Sequence, residues 1–357
     1  MTRRTGITAP RVTIKDVARA CGVSTQTISR VLNDRRDVSD DTREKVLAVI
    51  DQMGYQPNAL ARGMRQKSRI LGVIIAGLKY KGISTTLKGI AQASEERGFN
   101  LLLKELPTFG PTDIGHLVRS LLSHQVQGII YAAPQVGSNW DEARDMLNGQ
   151  TPPMVFLKGN PSSASMTISI DNYSGAYTLT RHMIDQGYRH IAHISGPSDW
   201  WETRERKRGW LQALRDADLS APPQALIQGD WSPGSGLKAY ESLAAGYRDM
   251  DAVFAANDQM ALGVLHGATR DGLAVPGRLG VAGFDDLLEA PFYIPPLTTV
   301  RQDFRKPGEL AVRKLMLLAG MNDLAGYVDE VRPDTIILSP TLVVRESTNR
   351  NGTVLQD

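Results

Sequence analysis

The sequence predicts an all-α head joined to an α/β core of two doubly wound, parallel-sheet lobes. Three observations predict it. The first 55 residues hold three short stretches with apolar residues at helical spacing, each punctuated by a cap or a glycine. From residue 70 short apolar runs alternate with amphipathic stretches, the pattern of a parallel sheet crossed by helices. And 357 residues exceed what one compact core takes up. The expected divisions are a head over 1–56, a linker over 57–69, a two-lobed core over 70–345 and a short tail over 346–357.

In the head, "TIKDVARACG" spaces Ile14, Val17, Ala18 and Cys21 along one helix face. Thr13 is the expected cap, with Asp16 three residues on in the capping-box position. Gly22 ends this helix because glycine accepts the left-handed conformation such an ending needs. Ser24 caps the next, which turns Thr27, Ile28, Val31 and Leu32 inward. "SDDTREKVLAVIDQMGY" forms the third, with Val46, Leu47, Ile50 and Met53 expected inside. Pro57 then breaks the chain, and "NALARGMRQKSR" is a basic linker, helical only when supported.

In the core, "ILGVIIAG", "NLLLKEL", "VQGIIYAA" and "PMVFLKG" are expected as buried parallel strands, and "HIAHISG", "AVFAAND" and "LGVAGFDD" repeat the theme. Helices are expected near 84–98, 111–124, 138–148, 172–187, 201–217, 233–246 and 258–272. "PPLTTVRQDF" interrupts the alternation and is expected to carry the chain back across the lobe boundary.

Composition bounds the function. Residues 1–68 hold thirteen Lys and Arg against seven Asp and Glu, a net +6, whereas the remainder holds twenty-eight against thirty-one, a net −3. A basic module on a mildly acidic body directs a polyanion to the head. No apolar run is long enough for a membrane span, the start lacks a secretory h-region, and the one cysteine can make no internal disulfide. A cytoplasmic protein is expected, with no membrane partner.

A helix, a tight glycine turn and a second helix with a small, polar N-terminal face form a helix-turn-helix, which enters the major groove of DNA. Thr25 and Gln26 lie on the leading turn. Glutamine pairs bidentately with adenine, and threonine touches a thymine methyl or base edge. Arg30, one turn later, reaches a guanine edge or a phosphate. The candidate DNA-contacting set is Thr13, Ser24, Thr25, Gln26, Thr27, Ser29, Arg30, Asn33, Tyr55, Asn58, Ala61 and Met64.

"TIKDVARACGVSTQTISRVLN" and "VSDDTREKVLAVIDQMGYQPNALAR" resemble the DNA-binding head of the lactose-repressor (LacI/GalR) family of bacterial transcription regulators. "GDWS", "ANDQMALG", "VAGFDD" and "IPPLTTVRQDF" resemble its core, so the likeness runs from about Val12 to about Arg345. The resemblance implies lobes of the periplasmic-binding-protein type, a homodimer on a near-palindromic operator, and a small-molecule effector, usually a sugar. It implies that "PNALARGMR" is a hinge helix in the minor groove, with Met64 where the family inserts a leucine wedge, Ala61 allowing close approach and Asn58 contacting backbone or capping that helix. Gly63 departs from a good helix former there. Corepression remains an alternative to induction, because purine-responsive relatives share the likeness.

A sugar offers one apolar face and a rim of hydroxyls, which aromatic planes and fork-shaped or carboxylate groups bind. The candidate ligand set is Tyr80, Tyr131, Lys158, Arg206, Trp231, Asn257, Asp285, Gln302 and Phe304. The resemblance assigns Arg206 to the sugar rim and Trp231 to the ring plane. Asp285 would accept from hydroxyls, Asn257 would donate and accept, and Gln302 and Phe304 would line the far wall. Lys158 stands where the lactose-repressor pattern has an aspartate, and Tyr131 where it has an asparagine. With Tyr80, Gly82 and Ile83 also changed and Trp200, Trp201 and Glu202 before the arginine, a β-glycoside or short oligosaccharide is expected rather than a simple galactoside. Lys158 would pair with an acidic sugar or with Glu202.

Other classes find less support. H-E-x-x-H, G-x-S-x-G and G-x-x-x-x-G-K-[ST] are absent, His190 and His193 share no face cleanly, and neither metal nor cofactor is expected. A sugar-binding transport component is disfavoured by the basic head and by the missing secretory leader. After "TLVVRES" the chain lacks the apolar heptads of a tetramerising helix, so a dimer is expected, with its interface on the first lobe around Leu101–Leu103 or the 84–98 helix.

Overall fold

Helix capping and strand alternation account for most of the architecture in the computed structural model, which describes residues 12–32, 35, 37–55, 69–107, 114–136, 139–147, 152–161, 166–320 and 333–350. Asn33 and residues 56–68, with Asn58, Ala61 and Met64 among them, lie outside the described residues. The chain divides into two compact units, Met1–Ser68 and Arg69–Asp357.

The head holds α1 (Ile14–Cys21), α2 (Thr25–Leu32) and α3 (Asp40–Gln52). The Asp16 carboxylate accepts from the Thr13 amide at 2.9 Å and from its hydroxyl at 2.6 Å, which satisfies the start of α1. Gly22 sits at φ 68°, and the following Val23 amide donates back to the Ala18 carbonyl at 3.1 Å. Val17, Ala18, Cys21, Ile28, Val31 and Val46 form the buried centre, with Tyr55 packed against it. Leu47 departs from expectation: it is 48% exposed, because the inward stripe of α3 is Val46, Val49, Ile50 and Met53 and Leu47 lies off it.

The core opens with β1 (Ile70–Ala76), α4 (Lys81–Glu95), β2 (Asn100–Leu106), α5 (Ile114–Ser123), β3 (Gly128–Tyr131), α6 (Asn139–Leu147), β4 (Met154–Leu157) and β5 (Thr167–Ile170). The second lobe follows with α7 (Asn172–Asp185), β6 (Ile191–Ser195), α8 (Trp201–Arg215), β7 (Leu226–Gln228), α9 (Pro233–Gly246), β8 (Ala252–Ala255), α10 (Asp258–Arg270) and β9 (Gly280–Ala282). The chain ends in β10 (Thr299–Arg301), α11 (Lys306–Leu318), β11 (Thr335–Leu338) and β12 (Thr341–Val343).

Among the described residues the first-lobe sheet has the order β11-β5-β4-β3-β1-β2 and the second the order β7-β6-β8-β9. Every pairing in both is parallel. Three connections cross between lobes. β5 leads into α7, which packs on α8; β10 leads into α11, which packs on α4; and β11 returns to β12, which pairs antiparallel with β10. "PPLTTVRQDF" therefore carries the chain back, as its broken alternation implied. The segment after Arg345 begins inside the second lobe rather than as a tail: Ser347 and Thr348 are buried, and Ser347 Oγ donates to the Val281 carbonyl at 2.6 Å. No helix among the described residues is long and apolar enough to cross a membrane.

Candidate functional site

Parallel strands in open α/β sheets end where their following loops diverge, and ligands bind there. In this core those ends form a cleft of about 780 Å³, counting its open mouth. Tyr80, Lys158, Arg206, Trp231, Asn257, Asp285, Gln302 and Phe304 all line it. Tyr131 does not. Side chains of β3 alternate, so Ile130 faces one side of the sheet and Tyr131 the other, where it is fully buried with Phe156 and Trp140. Its ring lies 5.5 Å from Phe156, and its hydroxyl is buried without a hydrogen-bond partner. Tyr131 is thus corrected from ligand contact to first-lobe core.

Arg206, on α8, is 5% exposed. Its Nε donates to Asn172 Oδ1 at 2.8 Å and its Nη1 donates to the Ala256 carbonyl. Nη1 also lies 3.8 Å from Asp285 Oδ1, and the guanidinium sits 3.9 Å over the Phe284 ring. A planar cation held on three sides keeps a fixed fork toward the cleft. Burial depresses its pKa, opposed by Asp285, Glu202 and Asp258.

Asp285 accepts from Gln302 Nε2 at 2.6 Å. Burial pushes its carboxyl up to about 6, against the lowering pull of Arg206, Gln302 and Lys158. Asp258 lies beneath it, fully buried, accepting from Thr299 Oγ1 at 2.5 Å and the Leu287 amide at 2.7 Å. Burial and the neighbouring Asp285 raise Asp258 well above the usual carboxylate range. Gln302 therefore acts on Asp285 rather than as a free wall residue.

Asn257 caps α10 by accepting from the Met260 amide at 2.8 Å, and its Nδ2 donates to the Trp231 carbonyl at 3.1 Å. Most of its bonding capacity thus goes to placing Trp231. The Trp231 ring also covers Gly196 so closely that any Cβ there would lie 2.1 Å from it. Trp200 meets Trp231 edge-on at 5.5 Å, and Tyr80 meets Trp200 at 5.8 Å, giving a row of three rings along the cleft.

Four residues at these strand ends have left-handed backbones despite their side chains: Lys158 at φ 64°, Trp231 at 74°, Asp285 at 121° and Asp286 at 54°. Such conformations cost about 1–3 kcal/mol each and gather at functional sites. Asp286 is held by Arg301 at 2.6 Å and Arg345 at 2.7 Å, which fixes the loop bearing Asp285. The Lys158 ammonium lies 5.6 Å over the Phe304 ring, and burial draws its pKa down to about 8. Lys158 and Glu202 make no direct ion pair, although each feels the other's charge.

Sequence reasoning missed several lining residues, Ser169, Asn172, Gln259 and Leu287 among them. Asn172 had a faint signal, a polar residue two positions after β5 at the start of α7. His193 is fully buried, its Nδ1 2.9 Å from the Phe254 carbonyl, and burial draws its pKa down to about 3. It is structural, and no His, Cys, Asp and Glu group among the described residues has metal-holding geometry.

In the head, Ser24 Oγ accepts from the Thr27 amide at 3.1 Å, so Ser24 and Thr27 cap the helix while Thr25 and Gln26 stand exposed on its first turn. Ser29 is half-buried and Thr13 exposed. Arg30 lies 3.6 Å from Asp37, both more than half exposed, a pairing worth about 0–1 kcal/mol and easily exchanged for a phosphate or base.

Residues 13–58 match the lacI family of bacterial regulatory proteins, and residues 180–348 match the periplasmic binding protein-like domain. The HTH-type transcriptional repressor PurR of Haemophilus influenzae (strain PittEE) is 30% identical over 337 residues, 94% of this chain and 98% of its own. This chain belongs to the lacI family. Among solved structures, the lac repressor dimer bound to operator and the anti-inducer ONPF matches with a TM-score of 0.83 and 30% identity, over 95% of this chain and 99% of that one. The cellobiose complex of the regulator CelR matches with a TM-score of 0.66 and 30% identity, over 94% and 100%. As a lacI-family member, the protein is a DNA-binding transcriptional repressor with an effector-binding domain.

Proposed function

We propose that this repressor binds a near-palindromic operator as a homodimer and leaves it when a saccharide fills the cleft. The observation that carries the ligand reading is the pairing of a fixed guanidinium fork with a carboxylate, Arg206 and Asp285, beside the Trp231 plane. That combination suits vicinal hydroxyls on an apolar ring face. The cellobiose complex of the structural relative CelR supports the same class.

Release follows from linkage: a ligand shifts DNA affinity only by its differential affinity for the two dimer arrangements, typically 1–3 kcal/mol. Thr25, Gln26 and Arg30 would read base edges, with Thr13, Ser24, Thr27, Ser29, Asn33 and Tyr55 at the phosphate backbone and the segment holding Asn58, Ala61 and Met64 in the minor groove. The dimer reading is supported by the lac repressor dimer and by Leu288, Phe292 and Ile294, which stand 77%, 83% and 86% exposed on the second lobe. That favours an interface extending beyond the first-lobe surface. A cytoplasmic, non-enzymatic regulator completes the reading.

The test uses full-length protein to select duplexes from a random library, followed by calorimetry with mono- and disaccharides. Enrichment of a two-fold-symmetric site together with saccharide binding supports the proposal. Enrichment without binding of any saccharide overturns the effector class, and no enrichment overturns the whole.

A further inference from the structure

The polar groups of the cleft fall into two sets. Around Arg206 protein partners hold most of the groups in place: Asn172 on Nε, the Ala256 carbonyl on Nη1, Gln302 on Asp285 Oδ1. Lys158 and Glu202 differ. Both line the cleft from opposite lobes, Lys158 on the loop after β4 and Glu202 in the first turn of α8, and carry opposite charges. Glu202 Oε2 is buried with no hydrogen-bond partner. The Lys158 ammonium rests over the Phe304 ring without an ion pair among the described residues. A buried carboxylate oxygen lacking a donor costs free energy that a bound group can recover.

The ring row adds a length argument. Trp231 packs beside the Arg206 fork, but Trp200 and Tyr80 continue the aromatic surface past it, each step about one sugar ring long. A single pyranose seated on Arg206 and Asp285 leaves this outer stretch uncovered.

We infer that the cleft has a second subsite, in which Lys158 and Glu202 together grip hydroxyls on the outer ring of a neutral disaccharide, against Tyr80 and Trp200. This rests on the saccharide reading above and names its specificity-determining residues. A neutral outer ring fits better than an anionic one, because Glu202 would repel a carboxylate or phosphate brought to Lys158. Lys158 donates and Glu202 accepts, so adjacent hydroxyls use both without changing the charge of the site. The raised pKa of Glu202, caused first by burial, agrees with an oxygen awaiting a donor.

The test is calorimetry on the full-length chain with cellobiose, lactose, glucose, galactose and glucuronate, repeated on Glu202→Gln and Lys158→Met, with thermal unfolding of each variant as a control. The expected results are that one disaccharide binds at least about tenfold more tightly than its component monosaccharides, and that either variant weakens it about tenfold, the loss expected for a charge-assisted hydrogen bond. Monosaccharide affinity falls by much less than disaccharide affinity, and the melting temperature does not fall, because each change removes a buried group without a hydrogen-bond or ion-pair partner among the described residues. A monosaccharide binding as tightly as any disaccharide, equal losses for both sizes, or preference for glucuronate overturns the second subsite while leaving the saccharide reading intact. Absence of binding by all five sugars overturns that reading instead.

Discussion

Replacing Arg206 with methionine keeps an apolar stem and removes the guanidinium that lies over Phe284. Three groups then lose their partner. Asn172 Oδ1 and the Ala256 carbonyl each lose a donor, a cost of about 1–3 kcal/mol per buried group. Asp285 keeps its place at the cleft floor with its nearest cation gone. Removing one partner of a buried ion pair costs about 3–5 kcal/mol in all, so the terms overlap and the core should lose about that much. All five tryptophans lie beyond residue 68, so their fluorescence in urea reports the core alone. The variant should also bind no saccharide by calorimetry while gel shifts show operator binding retained and unresponsive to sugar. A loss below about 1 kcal/mol, or unchanged induction, refutes the assignment of Arg206 as the fixed fork of the cleft.

Three further outcomes follow from the same geometry. Tyr131→Phe removes a buried hydroxyl that has no partner, so stability should hold or rise by up to about 1 kcal/mol with saccharide affinity unchanged; reduced affinity in calorimetry would restore Tyr131 to the site. The Asp285 pKa, raised from 3.8 to about 6, means the folded state holds an extra proton between those values. That contribution favours the fold at low pH and is lost as pH rises through about 6; conversely, saccharide binding to the ionised form should weaken as pH falls from 7 to 5, and affinity flat across that range contradicts the role of Asp285. Gln26→Ala, on an exposed position, should leave the head's melting temperature within about 0.5 kcal/mol of stability but cost about 1–3 kcal/mol in operator binding and relax one base position; uniform binding across operator variants before and after the change counts against base reading by Gln26.

Much of this was readable before the structure because local chemistry and global fold agree. The Asp16 capping box, the Gly22 turn and the Ser24 cap are short-range devices, visible in a dozen residues. The unbroken apolar runs at β1, β3 and β8 advertise burial on both faces. What was not readable depends on distant parts of the chain. β5, β11 and β12 are three or four residues each and become strands only through partners supplied by the topology. α11 does carry a local signal, Pro307 in the first turn before Leu310, Ala311 and Leu315. The ligand set was mostly readable because strand-end residues are positioned by the fold class itself. Tyr131 failed on parity: one residue along β3 decides cleft or core, and the register of a four-residue strand is not written in those four residues. The linker positions Asn58, Ala61 and Met64 lie outside the described residues.

The central claim is that one free-energy coupling joins the cleft to the DNA-reading head, and reciprocity measures it. Fluorescence anisotropy of a labelled palindromic duplex gives operator affinity with and without saturating saccharide, and calorimetry gives saccharide affinity with and without the duplex. The account predicts that each ligand weakens the other by the same factor, roughly 5–150. Operator affinity unmoved by a saccharide that demonstrably fills the cleft would contradict it.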